Sequence, residues 1–391
     1  MLIIPSWMGK KGLIAMVAIT VTLVGLLVLL GLEFRKRNNR TSDSIYKMLG
    51  HASYAKFSEA KIYQRNSELF PLKSRLEADQ FLRDTGPLDF SDTGSENLLD
   101  RVRKVDQAFL EMIAAAPIRR PTSSLETFSS SLNLTGFRSR LISVMNARDL
   151  SGDDVSPLKP ISSVIEANEN LYGGGSLMEE LFRQAVLSES LDQFREILNQ
   201  VEVKKLSTES LIKFRETLNR IESPAEGSKK AIHSEVLASV DLICSNRLKF
   251  FPTGIVGYFF EADKYCFLAH RIKLLEELEQ IDSLGELTPV KEFPWYAIYS
   301  KNLVSDDGFN PALKEGIFLD AVVGFTKDYL SIEIESRNEG SDMLDVPSGY
   351  SLKSTNPETG AVSLEFRIDK VFVTPPMTPH RNRLCAPYRL N

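Results

Sequence analysis

The chain of 391 residues is 43 % hydrophobic and 25 % charged, with a formal net charge of -5. These ordinary proportions argue against wholesale disorder, a collagen-like repeat or a multi-span membrane protein, and they leave ample material for a core. The acidic balance provides no global basic field for nucleic acid, so no nucleic-acid partner is expected.

The first element is the most distinctive. Gly12 to Leu32 reads GLIAMVAITVTLVGLLVLLGL, 21 residues without a charge. As a helix this run is about 31 Å long, against a hydrocarbon thickness of about 30 Å. Its Leu, Ile and Val residues each favour insertion by roughly 0.3–0.6 kcal/mol. Thr20 and Thr22 do not prevent it, because their hydroxyls can return to backbone carbonyls one turn back. The run exceeds the apolar core of a cleavable signal peptide, and no small-x-small cleavage site follows it. Glu33-Phe34-Arg35-Lys36-Arg37-Asn38-Asn39-Arg40 forms a basic collar instead, which reads as the flank of a retained anchor. The lipid bilayer is thus a partner through residues 12–32. Orientation reads two ways. A literal count of flanking Lys and Arg puts the body in the cytoplasm, whereas large domains translocate largely regardless of charge. The expectation leans to a body outside the cytoplasm.

Residues 35–98 mix polar runs with short apolar patches. Ile45, Leu49, Tyr54 and Phe57 suit a helical continuation from Thr41 to Leu69, and Asp84-Thr85-Gly86-Pro87 and Ser91-Asp92-Thr93-Gly94 read as turns. A helix is predicted over Leu98 to Ala116, stopped by Pro117 and Pro121, with a Ser/Thr-rich loop from Thr122 to Ser131. Successive helices follow. Phe137, Leu141 and Val144 share one face, and Ile161, Val164 and Ile165 share another after Pro160. Gly173-Gly174-Gly175 ends that segment. Ser176-x-x-Glu179 and Ser190-x-x-Gln193 read as capping boxes that open two separate helices. Ser207 caps a helix carrying Leu211, Phe214 and Leu218, which Ser223-Pro224 closes, and Lys229 to Asn246 is the next. Phe250 to Phe260 reads as buried inter-helix packing rather than an interfacial loop. Tyr265 to Ile281 is helical again, with Lys273 and Glu277 paired at i,i+4. Near the end, Tyr350-Ser-Leu352-Lys and Val362-Ser-Leu364-Glu-Phe366-Arg-Ile368 alternate at period two around Asn356-Pro-Glu-Thr-Gly360, the pattern of a hairpin.

The expected fold class is therefore mainly α. It comprises an N-terminal transmembrane helix, an irregular helical bundle or short solenoid-like array, and a small C-terminal β-hairpin or sheet. The organisation runs as a tail over 1–11, the anchor over 12–34, a juxtamembrane helix and loops over 35–98 and a helical domain over 99–285. A mixed α/β region over 286–373 contains the hairpin 350–368, and a tail with four prolines and three arginines covers 374–391.

Chemistry leaves little trace. His51, His233, His270 and His380 form no metal spacing, and His270 reads as part of a solvated helix face. His233-Ser234 is no nucleophile–base pair, because adjacent helical residues point apart. Gly173-Gly174-Gly175-Ser176 lacks the Gly-Lys-Ser/Thr of a phosphate loop. Glu276, Glu277 and Glu279, and likewise Asp153-Asp154, read as solvated acids. Asp306-Asp307-Gly308 reads as a turn, and Asn133-Leu134-Thr135 as a chance glycosylation tripeptide. Cys244, Cys266 and Cys385 make poor disulfide material, and free thiols are favoured over a Cys244–Cys266 bridge. No catalytic, cofactor-binding or metal residues are assigned, and no cofactor is expected.

Lys10-Lys11-Gly12 followed by the apolar run from Leu13 resembles the class III signal segments of pilin-like and pseudopilin-like proteins. In that family a glutamate usually stands where this chain has Val17. The resemblance implies processing before Leu13 and a place in a secretion or fibre apparatus. The region 99–247 resembles bacterial membrane-anchored helical proteins of uncharacterised activity, which implies a bacterial inner membrane. The resulting expectation is a single-pass membrane-anchored protein whose helical body is an interaction or scaffold module with protein partners. The alternatives are a minor pilin-like component and a membrane-tethered enzyme with a non-local site.

Overall fold

The structure is a computed structural model. It describes residues 10–50, 157–171, 177–200, 206–244, 255–281, 287, 293–303, 309–339, 350–356, 361–366 and 388–390. These are mainly helical: α1 (Lys10–Met48), α2 (Lys159–Leu171), α3 (Leu177–Gln200), α4 (Thr208–Arg220), α5 (Pro224–Cys244), α6 (Ile255–Gln280), α7 (Ile298–Leu303) and α8 (Phe309–Glu339). Three short strands follow, β1 (Tyr350–Asn356), β2 (Ala361–Phe366) and β3 (Tyr388–Leu390), paired antiparallel in that order. In the first pairing Tyr350 lies opposite Phe366 and Leu352 opposite Leu364. The helix expected over 98–116, the face of Phe137, Leu141 and Val144, the three consecutive glycines and the turns before residue 100 lie outside the described residues, as do Asp153-Asp154 and Asp306-Asp307-Gly308.

The chain divides into two compact units. One comprises Met1–Ile62, Glu235–Ile281 and Glu286–Asp307; the other comprises Tyr63–Ser234, Asp282–Gly285 and Gly308–Asn391. In the first unit, α1 is a single helix of 39 residues. No proline interrupts it, and Gly50, at φ 81°, closes it in the left-handed conformation that a side chain resists. The continuation expected from Thr41 toward Leu69 therefore ends at Met48 within the described residues. The same unit contains α6, which begins at Ile255, ten residues before the predicted start. Apolar and aromatic residues from Ile255 to Phe260 form its opening turns.

The second unit holds the main apolar core. Ile161 and Ile165 of α2, Leu187, Leu191 and Phe194 of α3, Leu211, Phe214 and Leu218 of α4, and Phe318, Val322, Phe325 and Tyr329 of α8 interlock in it. The Phe194 and Phe214 rings stack with centroids 4.5 Å apart. Each such side chain contributes roughly 1.5–3 kcal/mol when fully buried.

Helix boundaries in this unit follow capping chemistry, with two corrections. Ser207 caps α4 as expected, its hydroxyl accepting from the Ser210 amide at 3.2 Å. Ser190 opens nothing: α3 runs unbroken past it, and its buried hydroxyl donates to the Val186 carbonyl at 2.8 Å. A serine inside a helix satisfies itself this way, so its capping pattern is not decisive. Ser223-Pro224 does not merely close α4. Pro224 is the first residue of α5, where its missing N–H is no loss, and Ser223 accepts from the Glu226 amide at 3.3 Å. The predicted start at Lys229 is thus five residues late.

Candidate functional site

In the first unit, the two halves of α1 have opposite environments. From Ile14 to Leu32 the helix turns apolar side chains outward on every face; Leu23 is 54 % exposed and Leu29 65 %. Thr20 and Thr22 donate to the Met16 and Ala18 carbonyls at 2.8 and 2.9 Å, so their hydroxyls are satisfied within the helix. Among the described residues one helix, α1, is long and apolar enough to cross a membrane, and none of its most apolar stretch is buried.

Beyond Gly31 the pattern inverts. Gly31, Phe34, Asn38, Ser42 and Ile45 recur every three or four residues, the spacing of one helix face, and this seam, with Asn38 and Ser42 between Phe34 and Ile45, is covered. The backbone approaches closely at Gly31, where an added Cβ would lie 3.5 Å from the Tyr258 Cα of α6. Phe34 sits between Tyr258 and Tyr265, with ring centroids 5.8 and 5.7 Å away. Asn38, fully buried, donates to the Glu261 carbonyl at 2.9 Å and to its carboxylate at 2.7 Å. Arg35, Lys36, Arg37 and Arg40 stay in solvent, with Arg37 3.3 Å from Glu33.

A second feature of this unit is the segment from Phe293 to Leu303. Asp263, buried in α6, accepts from the Ser300 amide at 3.1 Å and from its hydroxyl, tying α7 to α6. This holds Trp295 and Tyr296 against Phe259, with centroids 5.7 and 5.9 Å apart. Trp295 is nevertheless 78 % exposed and Ile298 63 %.

The second unit contains a buried charged network that sequence reasoning missed. Arg183 of α3 forks onto Glu180, Nε to Oε2 at 2.8 Å and Nη2 to Oε1 at 2.7 Å. Its Nη1 donates to Glu169 of α2 at 2.7 Å and to the Glu222 carbonyl. Gln184 donates to Glu180 and to Ser228 of α5, and Ser228 donates to the Pro224 carbonyl and to that of Ala312 in α8. Burial lifts the Glu180 carboxyl above its ordinary value, against the opposing hydrogen bond and charge of Arg183. Burial also disfavours the Arg183 charge, but Glu180 and Glu169 outweigh it and hold the guanidinium firmly protonated. A Cβ on Gly227 would lie 2.6 Å from Arg183 Nη2 and Glu180 Oε1, so α5 can approach the fork only with glycine there. The network thus binds α2, α3, α5 and α8 to one another. Its only sequence trace is the Glu180–Arg183 spacing of three, which ordinarily marks a solvated helix face.

Other titratable groups are dispersed. His270 is half-buried with Phe293 edge-on at 5.8 Å, which corrects the solvated-face expectation. Glu276 and Glu279 are exposed, and Glu277 meets Lys273 at 3.3 Å as expected. Cys244 and Cys266 are free thiols. Among the described residues, no three His, Cys, Asp or Glu side chains gather as a metal site. His51 and His380 lie outside the described residues.

Compared with protein-family models, curated proteins and solved structures, the chain matches none.

Proposed function

We propose that the protein is a single-pass membrane-anchored scaffold. Residues 12–32 of α1 span the bilayer, and the helical body presents surfaces to protein partners. One observation carries the reading: α1 leaves its apolar half bare on every face and packs one face of its polar half. In water, exposed apolar surface costs roughly 25 cal/mol per Å², a cost that disappears in hydrocarbon. An isolated helix of this length is also viable in lipid, because it satisfies its own backbone polar groups. The unbroken course of α1 from Lys10 to Met48 supports a rigid joint, with the seam to α6 tying the apolar half to the rest of the first unit. The finer assignments are a bacterial inner membrane and a body on its outer side.

Alkaline carbonate extraction followed by flotation with phosphatidylethanolamine–phosphatidylglycerol vesicles tests the anchor. The full chain is expected to float; recovery as an unprocessed monomer in the aqueous fraction would overturn it. Reporters fused after Arg40 and at Asn391 should agree on one side, and they decide which.

The bare apolar helix also favours a second reading. Copies of the same helix can cover it as lipid does, as a minor pilin-like component would require. N-terminal sequencing of the mature chain separates the two: a start at Leu13 favours this reading, whereas an uncut leader rejects it.

A further inference from the structure

We propose that the opening turn of α6 and the Trp295–Ile298 segment form a second, interfacial membrane contact, a footing that rests in the headgroup layer beside the point where α1 leaves the hydrocarbon. The inference depends on the transmembrane reading of α1. Its geometry lies wholly within the first unit.

Helices α1 and α6 advance together, since Gly31 meets Tyr258 and Asn38 meets Glu261. Tyr258 therefore lies level with the last turn of the uncharged run. Ile255, three residues earlier, lies about 4.5 Å further toward the hydrocarbon at the usual helical rise. Tyr258 adjoins Phe259 at 5.2 Å, and Phe259 adjoins Trp295 at 5.7 Å. Apolar helix, aromatic cluster and the exposed Arg35, Lys36, Arg37 and Arg40 thus succeed one another along one direction. This is the order of hydrocarbon, interface and anionic headgroup, and Trp and Tyr favour the middle zone because their rings are apolar with one polar atom.

Exposure of Trp295 and Ile298 is not slack in the fold. The hydrogen bonds from Ser300 to Asp263 fix the segment, yet Trp295 and Ile298 face outward. A fixed apolar projection at the level of the bilayer surface has lipid as its nearest occupant, and the continuity with α1 selects lipid over a protein partner.

The sequence holds two tryptophans, Trp7 and Trp295, so Trp7→Phe leaves Trp295 as the sole reporter. The full-length variant is reconstituted in phosphatidylethanolamine–phosphatidylglycerol vesicles. Emission from Trp295 should shift to the blue, resist aqueous iodide and lose most of its intensity to lipids brominated near the headgroup. A second chain, Trp7→Phe, Trp295→Phe and Leu23→Trp, monitors the span with lipids brominated near the chain ends. If Leu23→Trp reports hydrocarbon while iodide reaches Trp295 freely, the footing is wrong and the anchor stands. If iodide reaches both, the anchor itself is wrong and the footing falls with it. Protection of Trp295 from iodide and bromine alike would mean that protein covers it, which also overturns the proposal.

Discussion

Among the described residues, Arg183 is the largest fully buried side chain. It is 1 % exposed, and each edge of its guanidinium has an acceptor. Arg183→Ala should cost about 3–5 kcal/mol, because Glu180 would remain buried without its counter-charge. Urea unfolding of the full chain in detergent, followed by helical circular dichroism, measures this. The paired change Glu180→Leu with Arg183→Met should recover part of the loss, since it removes the fully buried acid with the arginine and leaves only Glu169, 14 % exposed, to carry charge there. If the double variant is no better than Arg183→Ala, the uncompensated charge is not the cause. The thiols yield a pH-dependent expectation. Burial pushes Cys244 and Cys266 upward. The folded state therefore retains these protons to higher pH than the unfolded chain, and stability should decline as pH rises beyond the ordinary thiol value of about 8.5. With Cys385→Ser in the background, native protein should react with iodoacetamide more slowly than unfolded protein at about pH 9. Equal rates would refute the shift.

Among the elements, the seam between α1 and α6 carries the most specific chemistry. Asn38 makes two hydrogen bonds to Glu261, one of them to a carboxylate. Asn38→Ala should destabilise by about 1.5–3 kcal/mol. Asn38→Asp should do more harm, because it sets one carboxylate against another. Thermal unfolding in detergent distinguishes the two, and an Asp variant as stable as wild type would contradict the contact. Gly31→Ala should be nearly silent, since 3.5 Å is ordinary contact, whereas Gly31→Leu should separate the helices. The legibility of elements followed their surroundings. Ser207 was readable because a cap acts through its own turn. The 31 residues of α8 show no single apolar stripe, because Leu319, Val323, Leu330 and Ile334 are buried along a second line beside that of Phe318, Val322, Phe325 and Tyr329. Such a helix suits a core position, and periodicity has little hold on it.

For the whole molecule, the proposed anchoring turns on the free energy of α1 in lipid. Leu23→Arg places a charge near the centre of the span and should cost about 2.5–3.5 kcal/mol. Adding Val24→Arg should move a measurable fraction of the chain into the carbonate supernatant. Retention of the double variant in the membrane pellet would show that another part of the molecule supplies the attachment.

Sequence by itself determined the apolar run, its length, the basic collar behind it and the mainly helical character of the body. These depend on composition and on spacings within one or two turns, which need no knowledge of distant residues. It determined no chemistry, because no local motif carries one. Only the tertiary structure decided that Asn38 is buried while Leu29 is bare, that Glu180 and Arg183 face inward, and that Trp295 lies against Phe259 of α6 yet stays exposed. Each depends on contacts between residues far apart in the chain, and a local pattern is compatible with either side of a helix facing solvent.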